Sequence, residues 1–243
     1  MRILKGVSSF IILTPEQVLR DQLLMIECAG RTCYQSERGE ITLESATRFV
    51  HMLLNRQHES VLEHSSMTVK FLNCSRGFTH ELVRHRLASF SQESTRYVDY
   101  AVRGEGPNIK GFELQCVVPP HCNESEKVLL DDGRMMSLTD MFIEVERFYR
   151  ALRQSGWIPE DARQILPNAT KSEIVVTANF REWRHIFEMR TQKAAHWEIR
   201  AVMCDLLEVI QKIVPAVFDD FVQDGIDKNG LRYFRRKSFE SHS

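Results

Sequence analysis

Apolar positions along the chain recur mostly at helical spacing. Thr14-Pro15-Glu16-Gln17 offers a hydroxyl, a proline and a glutamine at the N-cap, N1 and N3 positions of a helix that should run into the region of Cys28. Ala46, Phe49, Val50, Leu53 and Leu54 share one face of a second helix, opening near Thr42 and ending near Asn55. Met67, Val69 and Phe71 alternate with Thr68, Lys70 and Leu72, the period of a strand with one face on the core. A helix through Phe78, Leu82 and Val83 should follow.

From residue 97 to 133 the pattern weakens under Gly104, Gly106, Pro107, Gly111, Pro119 and Pro120, and predicts a long, mobile connection with one short strand. Ser137 then caps a helix whose stripe of Leu138, Met141, Phe142, Val145, Phe148, Tyr149 and Leu152 belongs in the core. Pro159 opens a short helix, Ile174-Val175-Val176 reads as a buried strand, and helices follow over 181–189 and 195–214. Strands far apart in sequence among dominant helices predict an α+β fold. We expect a single domain over residues 1–225, with helices packed around a small, mostly antiparallel sheet, and a basic, solvated tail over 226–243.

With 243 residues, 43% hydrophobic, the chain can bury a sizeable core. Its 32 basic and 33 acidic side chains nearly cancel, which excludes a globally electrostatic nucleic-acid binder and makes any basic site local. Cys28, Cys33, Cys74, Cys116, Cys122 and Cys204 are irregularly spaced and include no C-x-x-C pair, so reduced thiols in a cytoplasmic protein are expected. No apolar run reaches the ~20 residues of a membrane span. Neither a G-x-G-x-x-G nor a P-loop pattern occurs, so a bound nucleotide would be held by another device.

Two histidine patterns invite a metal and fail on geometry. His80 and His85 stand five residues apart, which puts them about 140° apart around a helix, and the six-residue spacing of His58 and His64 is about 120° from alignment. No metal is expected. The run from Arg84 to Arg96, R-H-R-L-A-S-F-S-Q-E-S-T-R, collects three guanidiniums, an imidazole and several hydroxyls across an expected helix end and polar loop. Such a run fits phosphate binding by forked donors and turn amides, and it equally fits a mixed-charge surface segment.

The spacing of Arg84-His85-Arg86 and Ser94 resembles the R-H-R, seven residues, S signature of the flavin-dependent thymidylate synthases. Other blocks resemble that family in its order: Ala29-Gly30-Arg31-Thr32-Cys33-Tyr34, His58-Glu59-Ser60-Val61-Leu62-Glu63-His64, and Ala162-Arg163-Gln164-Ile165-Leu166-Pro167. Asn179-Phe180-Arg181, Arg190 and Trp197-Glu198-Ile199 complete the series, which spans residues 29–200. The resemblance implies reductive methylation of dUMP to dTMP, with bound FAD, 5,10-methylenetetrahydrofolate as carbon donor and NADPH as reductant. It also implies a homotetramer whose subunits share active sites, with no nucleic-acid or membrane partner.

By the same resemblance, Ser60, Arg84, His85, Arg86, Gln92, Asn179, Phe180, Arg181 and His185 contact FAD. Glu81, Arg84, Gln92, Glu93, Ser94, Thr95, Arg96, Arg163 and Arg190 contact dUMP, and Arg190 faces the uracil ring as the catalytic residue. Bland roles stand beside these: Arg163 neutralising a helix end, Trp197 as a core anchor, His64 as a structural histidine. The chain departs from the family pattern at Glu81, where glutamine is usual, and at Ser91, Gln92 and Ala194. Those departures keep open a related C5 modification of another pyrimidine nucleotide. The arginine clusters keep open a non-catalytic nucleotide- or RNA-binding protein.

Overall fold

Thr42 and Ser137 both cap helices in the computed structural model of the chain, which describes residues 1–36, 39–99 and 113–237. Strands β1 (Arg2–Lys5) and β2 (Ser9–Ile12) precede helices α1 (Glu16–Tyr34) and α2 (Leu43–Asn55). A 3-10 turn over Glu59–His64 leads to β3 (Met67–Ser75), α3 (Arg76–Leu82) and β4 (Ser89–Gln92). Next come β5 (Gln115–Val118), β6 (Lys127–Leu129), β7 (Met135–Ser137), α4 (Leu138–Gln154) and α5 (Pro159–Ala162), then a second 3-10 turn, Arg163–Ile165. The described chain closes with β8 (Lys171–Ala178), α6 (Phe180–Arg190), α7 (Trp197–Ile213), α8 (Pro215–Phe218), β9 (Phe221–Ile226) and β10 (Arg232–Arg236). The architecture is α+β.

Local chemistry accounts for the element ends. Thr42 Oγ1 accepts from the Ser45 amide at 3.2 Å while Ser45 Oγ accepts from the Thr42 amide at 3.0 Å, a closed capping box. Ser137 and Asp140 repeat the device at α4. Thr14 does not cap α1 as expected. Its hydroxyl instead accepts from the Thr68 amide of β3 at 2.9 Å, and the Gln17 amide donates to Asp21, because a strand-edge donor competes for the same oxygen. α1 therefore starts without a side-chain cap, runs past Cys28 to Tyr34, and ends at a left-handed Gln35 with φ of 48°.

The chain clusters into two compact units. The first comprises Met1–Ser9, Phe71–Glu81 and Ser91–Ile174; the second Phe10–Lys70, Leu82–Phe90 and Val175–Ser243. A four-stranded sheet has the order β2-β3-β8-β4. In the first unit β1 pairs with β5 in parallel and β6 with β7 antiparallel. Its core gathers Leu114, Cys116, Val118 and Phe142, with Tyr149 and Ala162 in a second cluster. In the second unit α1 packs on α2 and α7, and α6 on α7. Trp183, Phe187, Phe218 and Phe180 form its aromatic centre, with successive ring centroids 5.6–5.7 Å apart.

Several expectations need correction. Among the described residues there are four small sheets, one of them a parallel pair, where the sequence predicts one small, mostly antiparallel sheet. The α4 stripe is only partly core: Phe142 and Tyr149 are buried, whereas Leu138, Met141 and Phe148 are exposed, because one helix face covers less arc than the stripe spans. Of the connection over 97–133, residues 100–112 lie outside the described residues, and the rest carries two strands, β5 and β6. Residues 226–236, expected as a solvated tail, complete a hairpin with β9, in which Phe234 is buried and its amide donates to the Thr191 carbonyl at 2.9 Å. Among the described residues no helix is long and apolar enough to cross a membrane.

Candidate active site

The Arg84–Arg96 run does not stay in a loop after α3. It turns at Arg84-His85-Arg86, enters β4 and leaves it at Gln92 for a turn over residues 95–97. In the second unit this sends alternate side chains to different environments. Arg84 and Arg86 are exposed and have no carboxylate partner among the described residues, whereas His85 between them is buried. The Arg190 Nε–H donates to His85 Nε2 at 2.9 Å, and the His185 ring meets His85 edge-on at 5.5 Å. Burial, with Arg190 and His185 adding to it, pushes His85 down from 6.5 to about 4, so its imidazole is neutral near pH 7.

Helix α6 supplies the rest of that cluster, with three of the expected FAD contacts committed elsewhere. Asn179 is the N-cap, its Oδ1 accepting from the Glu182 amide at 2.8 Å. The Phe180 ring is fully buried in the aromatic centre and its amide donates to Ser65 Oγ. Arg181 pairs with Glu63 of the 3-10 turn that also carries Ser60, which is exposed. Of the expected flavin set, the structure brings His85 and His185 together, with Arg190, and leaves Phe180 as core.

The loop over Gln92–Arg96 sits in the first unit. Gln92 Nε2 donates to Thr79 Oγ1 at 2.9 Å and Ser172 Oγ at 3.3 Å, which holds β4 to its neighbours rather than presenting the amide outward. Glu93 pairs with Lys171 at 3.0 Å, and Arg96 with Glu160 at 3.1 Å. Ser94 Oγ accepts from the Arg96 amide, closing the turn. Arg163 Nη1 donates to the buried Thr95 hydroxyl at 3.2 Å, so Arg163 faces this loop instead of neutralising a helix end. Thr95 and Arg163 line a polar cavity of about 340 Å³ with Arg76, His80, Gln164, Leu166, Pro167 and Asn168. Glu81 stands half-buried in the last turn of α3.

Sequence reasoning missed several of these residues. Arg76 and His80 stand one helical turn apart on α3, the only available signal for a shared face. Arg76 and Arg163 both lack a carboxylate partner among the described residues. Arg184, 1% exposed, forks onto Asp220 and reaches Glu59 of the H-E-S block at 3.5 Å. Arg236 joins both acids. Burial alone would raise the Asp220 carboxyl, but Arg184 and Arg236 together hold it below the usual carboxylate range. Trp197 is half-buried at the start of α7, not a core anchor, and His64 is exposed. Among the described residues no three His, Cys, Asp or Glu side chains are grouped to hold a metal ion.

Comparison with known proteins decides the family. The family model described as "Thymidylate synthase complementing protein" matches residues 17–216. A curated flavin-dependent thymidylate synthase from Geobacter sulfurreducens is 37% identical over 201 residues, 80% of each chain. The chain belongs to the flavin-dependent thymidylate synthase family. A second member of the family, from Corynebacterium efficiens, is 36% identical over 207 residues, covering 81% of this chain and 78% of its own. Solved structures share the fold: thymidylate synthase X from Helicobacter pylori, with FAD and dUMP, has a TM-score of 0.61 at 22% identity, covering 88% of this chain and 98% of its own. The UMP/dUMP methylase PolB from Streptomyces cacaoi, bound with 5-Br UMP, has a TM-score of 0.62 at 20% identity, covering 90% and 95%.

Proposed function

We propose that the chain reductively methylates dUMP at C5 to give dTMP, with FAD as cofactor, 5,10-methylenetetrahydrofolate as carbon donor and NADPH as reductant. Family membership supports an enzyme over a non-catalytic nucleotide- or RNA-binding protein. The observation that carries the nucleotide reading is the pair Arg76 and Arg163, two guanidiniums facing one polar cavity beside Thr95. A nucleotide phosphate is a dianion, and forked donors beside a hydroxyl suit it.

In this reading Arg163, Arg76, Thr95 and Ser94 hold the phosphate, and Arg84 and Arg96 hold the rest of the nucleotide. Gln92 and Glu93 act one step back, fixing the loop through Thr79, Ser172 and Lys171. Glu81 borders the same segment, and a carboxylate there tunes which nucleotide is accepted. Arg84 and Arg86, exposed beside buried His85, have the donor chemistry for the FAD pyrophosphate, with Ser60, Arg181 and His185 as further contacts. Bound FAD supplies the reducing chemistry that no side chain here can provide. Arg190 does the electrostatic work at the uracil ring, stabilising negative charge as C5 becomes nucleophilic, typically worth about 3–4 kcal/mol of barrier.

Assembly as a homotetramer with shared sites belongs to the same proposal. The apolar side chains that α1 and α4 leave exposed, Val18, Met25, Leu138, Met141 and Phe148, supply surface for it. Six unbridged cysteines support a cytoplasmic setting. The test is anaerobic turnover of dUMP labelled with tritium at C5, with FAD, NADPH and methylenetetrahydrofolate, and UMP as a parallel substrate. Folate-dependent tritium release with dTMP by mass is expected; flavin binding without release, or release only from UMP, overturns the assignment.

A further inference from the structure

Glu182 occupies the N3 position of α6, counted from the Asn179 cap. An acid there ordinarily turns back to the N-cap amide and stays near solvent. Here its side chain is 5% exposed, and burial pushes its pKa up. Burying a carboxyl costs free energy that a solvated cap would not, so the position calls for a second use. Its Oε1 lies 3.6 Å from Nδ1 of His85, which is equally buried.

The other edge of the His85 ring determines what Nδ1 must be. Nε2 receives the Arg190 Nε–H at 2.9 Å, and a ring nitrogen can accept only when it carries no proton. A neutral imidazole with an acceptor Nε2 bears its proton on Nδ1. The groups facing the ring are Arg190, His185 and Glu182: Arg190 keeps the proton off Nε2, and Glu182 is the one that places a carboxylate oxygen beside Nδ1. At 3.6 Å the bias is electrostatic rather than a direct hydrogen bond.

We propose that Glu182 is a positioning residue: it holds His85 as the Nδ1–H tautomer, so that Nε2 accepts from Arg190 and sets the direction of that guanidinium. The inference rests on the reading of Arg190 as the group at the uracil ring. Glu182 and His85 then act on turnover through Arg190, without touching substrate themselves. A flipped tautomer would put an N–H against the Arg190 Nε–H, two donors facing each other, and Arg190 would swing away.

The test uses the full chain loaded with FAD, 15N-labelled at histidine, alongside Glu182→Gln and Glu182→Leu. The expected wild-type spectrum has the His85 proton on Nδ1. Glu182→Gln keeps an oxygen dipole beside Nδ1 but removes the negative charge, so it should keep only part of the tautomer bias and lower turnover less than Glu182→Leu does. Glu182→Leu should shift His85 toward the Nε2–H form and lower kcat at least about tenfold with little change in KM for dUMP. A wild-type ring protonated on Nε2 overturns the proposal even if the leucine variant fails to fold, and so does a leucine variant with unchanged tautomer and kcat. Arg190→Ala with normal turnover would instead sink the role of Arg190 and leave the tautomer result standing.

Discussion

Arg184 grips both carboxylate oxygens of Asp220, Nη1 to Oδ1 at 2.7 Å and Nη2 to Oδ2 at 2.6 Å, with both side chains buried. The pair joins α6 to the residues just before β9, and Phe221 lies under the guanidinium at 5.4 Å from its ring centroid. Removing one partner strands the other charge away from water. Asp220→Ala should therefore cost about 3–5 kcal/mol, read as a lower midpoint in urea unfolding. Replacing both with apolar residues, Arg184→Met with Asp220→Leu, should recover most of that loss. A single variant as stable as the parent would contradict the burial of the pair.

If Arg76 and Arg163 hold a phosphate, each is worth a charge-assisted hydrogen bond. Arg76→Ala and Arg163→Ala should each raise KM for dUMP about tenfold to a hundredfold, with kcat less affected. Weakened dUMP binding by titration calorimetry checks the same point without turnover. An unchanged KM in both variants would remove the cavity from the nucleotide site.

Acid should weaken the fold through His85. Its folded pKa lies near 4 and its ordinary value is 6.5, so between these the unfolded chain binds the proton that the folded chain refuses. The stability is fully present above about pH 6.5 and is lost as pH falls toward 4, by about 3 kcal/mol in all. His85→Gln should flatten that part of the stability profile. A profile of unchanged slope would place the titration elsewhere.

Gly30, within the A-G-R block, faces the Phe49 ring so closely that an added Cβ would sit 2.4 Å from it. α1 and α2 meet there, and Gly30→Ala should cost about 1–3 kcal/mol by thermal unfolding. Trimming the ring should relieve it, so Gly30→Ala with Phe49→Leu should lose less than the sum of the two single changes.

What could be read in advance divides along physical lines. Local signals were legible: the caps at Thr42 and Ser137 need only three residues each, and the alternation in β3 and β8 needs only one buried face. The motif residues were legible through resemblance. Long-range competition was not. Thr14 loses its capping role to the Thr68 amide, 54 residues away, and Glu182 looks like a helix-start acid until His85 is found beside it. The hairpin of β9 and β10 did carry a signal, Asn229-Gly230 with Gly230 at φ of 78°, inside what reads as a charged tail. Phe180 shows the converse: motif membership suggests a ligand contact, and the fold shows that its ring fills the core, which the motif does not reveal.

The ion cluster around Glu59 has a bearing on how the protein is made. Glu59 stands in the H-E-S block, and its partners Arg184 and Arg236 lie 125 and 177 residues further along the chain. During synthesis the block emerges early and waits for most of the protein to follow. Arg236 must clear the ribosome before the acid receives both cations. The H-E-S block is thus completed by the last strand among the described residues, and termination a few residues short of Arg236 leaves Glu59 and Asp220 each missing a cation.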